Sequence, residues 1–217
     1  MQSFPNLQVV IQDSNSTMLH QAQGSQDLSD IKDRISFDEY DFFTPQPVTN
    51  AGAFLMRQIL HNWGDDDCVR ILQAVVPGLE RSAPGTPLLI NDSIIPEPGT
   101  TTRFEEHVIR QIDLLMMFSL GAKQRTVIEF QRLLKRADAR FEVRHLRNSE
   151  NALLIPVHID HENSHGTNGS DRSAPKKLLE YSAIGLRSTL RCTPAATCKF
   201  VKTARPQYSS PVTPPIE

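Results

Sequence analysis

The hydrophobic and polar positions of the chain form two alternating patterns, short apolar runs and longer amphipathic stretches. The short runs predict strands, because each is rich in β-branched or aromatic residues and ends at polar or turn residues. The second run alternates like a half-buried strand, and the last two form a closing pair. In chain order the predicted strands are NLQVVIQD, RISFDEYDFF, AFLMRQIL, PLLINDSII, RFEVRHL and ALLIPVHID.

The amphipathic stretches predict helices between these strands. DDDCVRILQAVVPGLERS begins with three aspartates, which the helix dipole favours in a first turn, and Pro77 should kink or end this helix near its last turn. Two further helices are predicted from about Thr102 to Ser119 and over TVIEFQRLLKRAD. Strands that alternate with helices, several of them apolar throughout, predict an α/β domain around a largely parallel sheet.

The character of the chain changes at about His161. The segment from there to the C-terminus is rich in Ser, Gly, Asn and Pro, and it carries eight Lys/Arg against four Asp/Glu. Such a composition is typical of a disordered extension, and its net charge of +4 also allows a basic interaction tail. The sequence therefore predicts a folded domain over residues 1–160 and a disordered tail over residues 161–217.

Composition narrows the class of protein. A hydrophobic content of 39% and a net charge of −2 fit a soluble globular protein and give no support to nucleic-acid binding. No apolar run reaches the length of a membrane span, and the N-terminus lacks the features of a signal peptide. Three widely spaced cysteines fit unpaired thiols in a reducing compartment. These features predict a cytoplasmic protein.

Three predicted strands deliver polar side chains to one edge of the sheet. In open α/β sheets, ligands bind beyond the carboxyl ends of the strands, where Asp13, His61 and Asp92 stand. The carboxylate of Asp13 is well suited to accept hydrogen bonds from the two vicinal hydroxyls of a ribose. His61 could act as a general base, because its ordinary pKa of about 6.5 lies near working pH, and Asp92 could orient its imidazole.

Each of these residues also has a structural interpretation. Asp13 could be the N-cap of the next helix, and His61 could bond a strand-end carbonyl. Asp92 could simply be a turn residue. Asp65 to Asp67 resemble a metal-binding cluster, but consecutive residues of a helical turn point in different directions, so they favour helix capping. No metal site is therefore predicted.

Several motifs occur in a characteristic order: FPNLQVVIQD, DRISFDEYDFF, AFLMRQILHNWGDDDCVRIL, LLINDSIIPEPG, DLLMM and GAKQRT. In this order they resemble the S-adenosylmethionine-dependent O-methyltransferases of the caffeate and flavonoid type, which have fungal members in secondary metabolism. The resemblance covers Phe4 to Asp160 and is most specific at His61-Asn62-Trp63. It implies a Rossmann-like, class I methyltransferase sheet, the cofactor S-adenosylmethionine, and a small hydroxylated aromatic or polyketide-type acceptor.

The resemblance also implies roles for individual residues. It places Asp13 at the cofactor ribose, Asp41 and Phe42 at the adenine, and Arg57 where many members have a lysine near the cofactor. His61 matches the base that removes the proton of the acceptor hydroxyl before the oxygen attacks the methyl group. The carboxylate that steers this base corresponds to Asp92, and a methionine of the acceptor pocket corresponds to Met116.

The sequence departs from the family in four ways. Asn62 and Gln124 replace carboxylates near the base, which should lower the pKa of the imidazole and loosen its orientation. The family's first, central strand and its glycine-rich loop find no match before Asp13, and no Gly-x-Gly occurs. The N-terminal helical domain through which the family usually forms homodimers is not matched either. A missing central strand predicts either that its neighbours pair directly or that the product is marginal and aggregates.

Three functional hypotheses follow. The first is an O-methyltransferase that uses His61 as a general base. The second is a truncated, inactive methyltransferase-like remnant or binding protein, favoured by the missing glycine loop and by the changes at Asn62 and Gln124. The third, a nicotinamide-dependent oxidoreductase, has no positive support, and the missing glycine motif counts against it as well.

Overall fold

The protein was described from a computed structural model. The structure describes residues 6–143, 147–149, 152–159, 179–180, 189–190 and 198–203. Four α-helices lie within these ranges: α1 (Ser16–Gln23), α2 (Asp65–Glu80), α3 (Arg103–Leu120) and α4 (Val127–Ala137). The strands are β1 (Leu7–Asp13), β2 (Ile35–Glu39), β3 (Ala53–Arg57), β4 (Leu88–Asp92), β5 (Phe141–Val143), β6 (Arg147–Ser149), β7 (Ala152–Ile159), β8 (Leu179–Glu180), β9 (Thr189–Leu190) and β10 (Cys198–Thr203).

The main sheet has the strand order β2-β1-β10-β3-β4-β7-β5, and β6 also pairs with β7. Strands β2, β1, β10, β3 and β4 run parallel to their neighbours, whereas β7 is antiparallel to β4 and to β5. The predictions of a largely parallel sheet and of a closing pair are therefore confirmed.

The centre of the sheet differs from both predicted outcomes. The strands β1 and β3 neither pair directly nor leave a gap, because β10 lies between them and is parallel to both. Val201 is in register with Val10 on one side and with Phe54 on the other. The backbone N–H and C=O groups of both flanking strands thus gain hydrogen-bond partners, which buried backbone groups require.

The prediction of a disordered tail is wrong for Cys198–Thr203, and β8 and β9 form a separate antiparallel pair. The tail residues 161–178, 181–188, 191–197 and 204–217 lie outside the described residues. The predicted domain boundary at residue 160 stays a prediction.

The predicted strands β3 and β4 are deeply buried. The side chains of Ala53–Met56 are buried, and all of Leu88–Asp92 are buried, as their continuous apolar runs predicted. The helix α2 continues through Pro77 and ends at Glu80, so the proline ends the helix within one turn, as expected. The core also includes Ile71, Leu72, Phe130, Leu134 and Phe141.

The helix α3 leads the chain towards the site. A capping box of Thr102 and Glu105 starts it, and Gly121 ends it with a positive φ of 62°. The left-handed conformation of Gly121 is one that glycine adopts at little cost, and it lets the next residues turn back towards the sheet. Gln124 and Arg125 follow, before a second capping box at Thr126 opens α4. Among the described residues, no helix is both long and apolar enough to cross a membrane.

Candidate active site

The carboxyl ends of the parallel strands form a polar edge. Asp13 ends β1, Arg57 ends β3 and Asp92 ends β4, and a 3₁₀ turn at Leu60–Asn62 follows β3 directly. The register places Thr203 of β10 beside Gln12 and Met56, so Asp13 and Arg57 lie about two strand spacings apart, or roughly 10 Å. The structure therefore brings Asp13, Asp92 and the turn that carries His61 to one edge, although β3 ends at Arg57, earlier than predicted, so His61 does not follow the strand directly.

Asp13 is buried but is not a helix cap. Its side chain is 3% exposed, and Oδ1 accepts a hydrogen bond from the Asn15 N–H at 2.8 Å. Asn15 is the N-cap of α1, since its own side chain accepts from the Met18 N–H. Burial raises the pKa of Asp13, and hydrogen bonds from the Asn15 and Ser14 backbone oppose that rise. The alternative interpretation of Asp13 as the N-cap is therefore wrong.

His61 lies on the 3₁₀ turn and is partly exposed. Its Nδ1 lies 3.1 Å from Nε2 of Gln124, whose side chain is 1% exposed. An amide N–H at that position requires Nδ1 to accept, which puts the proton of the neutral ring on Nε2. Half a turn of the amide would instead present Oε1 to an Nδ1–H and leave Nε2 as the acceptor, and Oε1 has no hydrogen-bond partner in the present orientation. Gln124 therefore decides which ring nitrogen can take a proton.

Asp92 acts on the backbone of this turn. Its Oδ2 accepts the Leu60 N–H at 3.2 Å, and the His61 backbone N–H also stabilises the carboxylate. Gln124 contacts the imidazole itself. The role predicted for Asp92, orientation of the ring, stays a prediction. In the structure, Asp92 instead stabilises the backbone of the segment that carries the imidazole.

Asp92 should make the stability of the protein depend on pH. The residue is 0% exposed, and burial raises its pKa to about 7, against the opposing effects of the Leu60 N–H and of Arg125. Between about pH 4 and pH 7 the unfolded chain has lost this proton while the folded chain retains it, so the free energy of unfolding falls as pH rises. At about 1.4 kcal/mol per pKa unit, the loss is on the order of 4 kcal/mol.

We therefore expect Asp92→Asn to flatten the fall in stability between pH 4 and pH 8, as measured by urea unfolding. The matched control is Asp138→Asn. Hydrogen bonding to Arg140 lowers the pKa of Asp138, so that carboxylate stabilises the protein above its ordinary pKa and the stabilisation disappears as pH falls. Parallel pH profiles for Asp92→Asn and the parent would contradict this assignment.

Aromatic side chains pack beside the turn. The Trp63 ring meets Phe43 edge to face at 4.9 Å and Phe42 at 5.8 Å between centroids. Phe42 is 4% exposed, so its ring offers a ligand little surface in this conformation. Asp41 is exposed, and its Oδ1 accepts the Phe43 N–H at 3.0 Å. Contacts of Asp41 and Phe42 with an adenine stay predictions.

The remaining predicted residues lie at the rim. Arg57 is exposed at the end of β3, and Met116 is half-buried on α3, which contacts the Leu60–Asn62 turn. Asn62 is buried and donates from Nδ2 to the carbonyl of Gln58, a residue with a positive φ of 53°. The amide of Asn62 thus stabilises the loop that carries His61, by a hydrogen bond that a carboxylate could not donate.

Sequence reasoning missed Arg125. This residue is 1% exposed and bonds the backbone on both sides of His61. Its sequence signal is its place directly after Gln124 in GAKQRT, although charge alone would assign it to the surface. Within the described residues, no group of three or more His, Cys, Asp or Glu side chains could hold a metal ion.

Comparisons with known proteins agree on one family. The model of the O-methyltransferase domain matches residues 1–140. O-methyltransferase sol2 of Alternaria solani is 52% identical over 158 residues, which are 73% of this chain and 37% of that protein. The 6-hydroxytryprostatin B O-methyltransferase of Aspergillus fumigatus is 36% identical over 138 residues, 64% of this chain and 38% of that protein. The chain therefore spans little more than a third of the length of these relatives.

Solved structures share the fold. LepI in complex with SAM aligns at a TM-score of 0.61 and 26% identity, covering 73% of this chain and 38% of that one. Human N-acetylserotonin methyltransferase in complex with SAM aligns at 0.57 and 20% identity, covering 74% and 43% of the two chains. Together with the strand order, these alignments confirm the Rossmann-like, class I methyltransferase sheet.

Proposed function

Because the chain belongs to the O-methyltransferase domain family, we propose that it transfers a methyl group from S-adenosylmethionine to a hydroxyl of a small aromatic or polyketide-type molecule. The observation that carries this proposal is the position of His61. Its imidazole stands at the carboxyl edge of the sheet, and a buried amide holds Nδ1 at 3.1 Å. Gln124 thus sets the tautomer of the ring, and Nε2 becomes the proton acceptor when the amide presents Oε1 to Nδ1–H.

The family match and the solved structures in complex with SAM support S-adenosylmethionine as the cofactor. When bound, this cofactor supplies an electrophilic methyl group on a sulfonium. Asp13, Asp41, Phe42 and Arg57 are the residues that would hold it. Asp13 fits a ribose by its chemistry, since a buried carboxylate at a strand end is well suited to accept hydrogen bonds from two hydroxyls.

His61 would supply the base. A hydroxyl becomes a strong nucleophile when its proton is removed, and transfer in line also requires a fixed geometry. For Nε2 to take the proton, Gln124 must turn its amide oxygen towards Nδ1–H. That orientation would also give a hydrogen-bond partner to the buried Gln124 Oε1. Met116, on the helix beside the turn, would line the acceptor pocket.

A second candidate function is binding without catalysis. The central strand of the sheet, β10, comes from the segment after residue 160. The residues after β10 read Ala204-Arg205-Pro206 and contain no glycine, whereas a glycine-rich turn lets the backbone approach a bound nucleotide closely. An inactive, methyltransferase-like protein is consistent with these observations.

Calorimetric titration of the chain with S-adenosylhomocysteine tests the proposal. We expect micromolar binding in the parent and at least tenfold weaker binding in Asp13→Ala, because the buried carboxylate would no longer meet the ribose. Asp30→Ala, which removes an exposed carboxylate, is the matched control and should bind as the parent does. A folded parent that does not bind would refute the enzyme proposal and favour the second candidate.

A further inference from the structure

The buried guanidinium of Arg125 has an unusual set of partners. Nε and Nη2 donate to Oδ1 of Asp65 at 3.0 and 2.7 Å. Nη1 donates to the Leu60 carbonyl and Nη2 to the Trp63 carbonyl, both at 2.9 Å. Burial of a cation is costly unless such partners compensate for lost hydration. One rigid group thus joins the first residue of α2 to both flanks of His61.

Further hydrogen bonds hold the Leu60–Asn62 turn in place. The Leu60 N–H donates to Asp92, and the Leu60 carbonyl also accepts from the Cys68 thiol at 3.2 Å. Burial alone would raise the pKa of Asp65, but hydrogen bonds and charges of Arg125 and Lys123 lower it. Asp65 therefore stays ionised and remains paired with the guanidinium of Arg125. The backbone that carries His61 is fixed before and after the residue.

Arg125 also fixes the residue that touches the ring. Gln124 precedes it directly, and the Arg125 carbonyl accepts the Ile95 N–H at 3.0 Å. The Gln124 N–H donates to Oδ1 of Asp113 on α3 at 2.7 Å. The same short segment therefore sets both the path of the turn and the position of the amide against the imidazole.

We propose that Arg125 is a positioning residue for His61, acting through the Leu60 and Trp63 carbonyls and through the neighbouring Gln124. It touches neither reacting atom, and its effect is to hold the imidazole in one orientation. As a contribution to proton transfer, this inference rests on the proposed function, but the geometry it describes exists in the protein alone. A guanidinium is suited to the task because its rigid planar fork presents five N–H donors in a fixed geometry, whereas an ammonium offers three donors on a flexible stem.

The test is ¹⁵N NMR of the His61 ring in the full chain, with the signals assigned by their loss in His61→Gln. The two neutral ring forms have distinct nitrogen shifts, so their ratio can be measured without cofactor or acceptor. We expect the parent ratio to differ from that of free histidine and Arg125→Lys to remove at least half of that difference. Since the lysine keeps the charge, the change would report geometry rather than electrostatics.

Arg136→Lys is the matched control. Arg136 pairs with Asp66, the neighbour of Asp65, at 2.7 Å, but its side chain is 53% exposed. This variant should leave the ring signals unchanged. If Arg125→Lys does not fold, Asp65→Asn provides a second variant, because it weakens the Arg125–Asp65 ion pair by changing the more exposed partner. It should shift the ratio of the two neutral ring forms in the same direction.

Two results would overturn the inference: a parent ratio equal to that of free histidine, or a folded Arg125 or Asp65 variant with the parent ratio. A purely structural role would lower the melting temperature without moving the ring signals. With an acceptor in hand, Arg125→Lys should lower kcat at least tenfold and change KM less than twofold. If the ring signals shift as expected but the chain binds no cofactor, the positioning inference stands and the proposed function fails.

Discussion

Val201→Pro is expected to lower the free energy of unfolding by about 3 kcal/mol or more, or to prevent folding altogether. Val201 lies in the middle of β10, in register with β1 on one side and β3 on the other. Proline has no N–H, so one ladder hydrogen bond is lost and its buried partner is left unpaired, at a cost of about 1–3 kcal/mol. The ring adds a steric conflict, which is why proline is found at sheet edges and bulges.

Urea unfolding followed by circular dichroism would measure this effect, with Val201→Ala as the matched control. Alanine keeps the backbone N–H, so the difference between the two variants isolates the backbone contribution. A total stability of about 5–15 kcal/mol is usual for a domain, so the expected loss is a large part of it. Equal midpoints for the two variants would mean that β10 does not complete the sheet.

The contrast between β3 and β10 shows what the sequence could predict about the fold. AFLMR is apolar and lies between turn signals, so it is recognisable locally as a buried strand. CKFVKT contains two lysines and lies in a proline-rich segment, so its local composition indicates an extension instead. The place of β10 in the sheet depends on the open position between β1 and β3. Pairing between strands so far apart in the sequence has no signature in the local composition.

The same distinction applies to the site. His61 and Asp13 were identifiable because each follows a recognisable strand, and the carboxyl edge of a parallel sheet gathers strand ends together. Arg125 was not, because its burial results from partners about 60 residues away at Leu60, Trp63 and Asp65. A charged residue in a loop is expected at the surface until tertiary structure surrounds it with acceptors. A histidine that follows a strand is therefore easier to place from the sequence than the buried residues that hold its backbone.

The buried polar groups around His61 also connect the site with stability. Asp92 and Gln124 each have an oxygen buried without a hydrogen-bond partner, and each such atom costs about 1–3 kcal/mol. Such costs are tolerated where function requires a particular arrangement, so their concentration beside one histidine supports a functional role for that histidine.

His61→Ala is accordingly the second change with a large expected effect. If His61 removes the acceptor proton, its loss should lower kcat by about 10²–10⁴-fold, the usual contribution of a general base. Affinity for S-adenosylhomocysteine should change little, because the residues proposed to hold the cofactor are Asp13, Asp41, Phe42 and Arg57. The measurement is turnover of a hydroxylated aromatic acceptor at saturating cofactor, alongside calorimetric binding.

His20→Ala provides the matched control, because His20 lies exposed on α1 and its Nδ1 bonds the Ser16 carbonyl of the same helix. This variant should keep both turnover and cofactor affinity. A His61→Ala protein that binds cofactor and retains turnover would show that the acceptor loses its proton elsewhere. The buried amide of Gln124 would then hold a structural histidine, and the polar edge of the sheet would serve to bind a ligand without activating it.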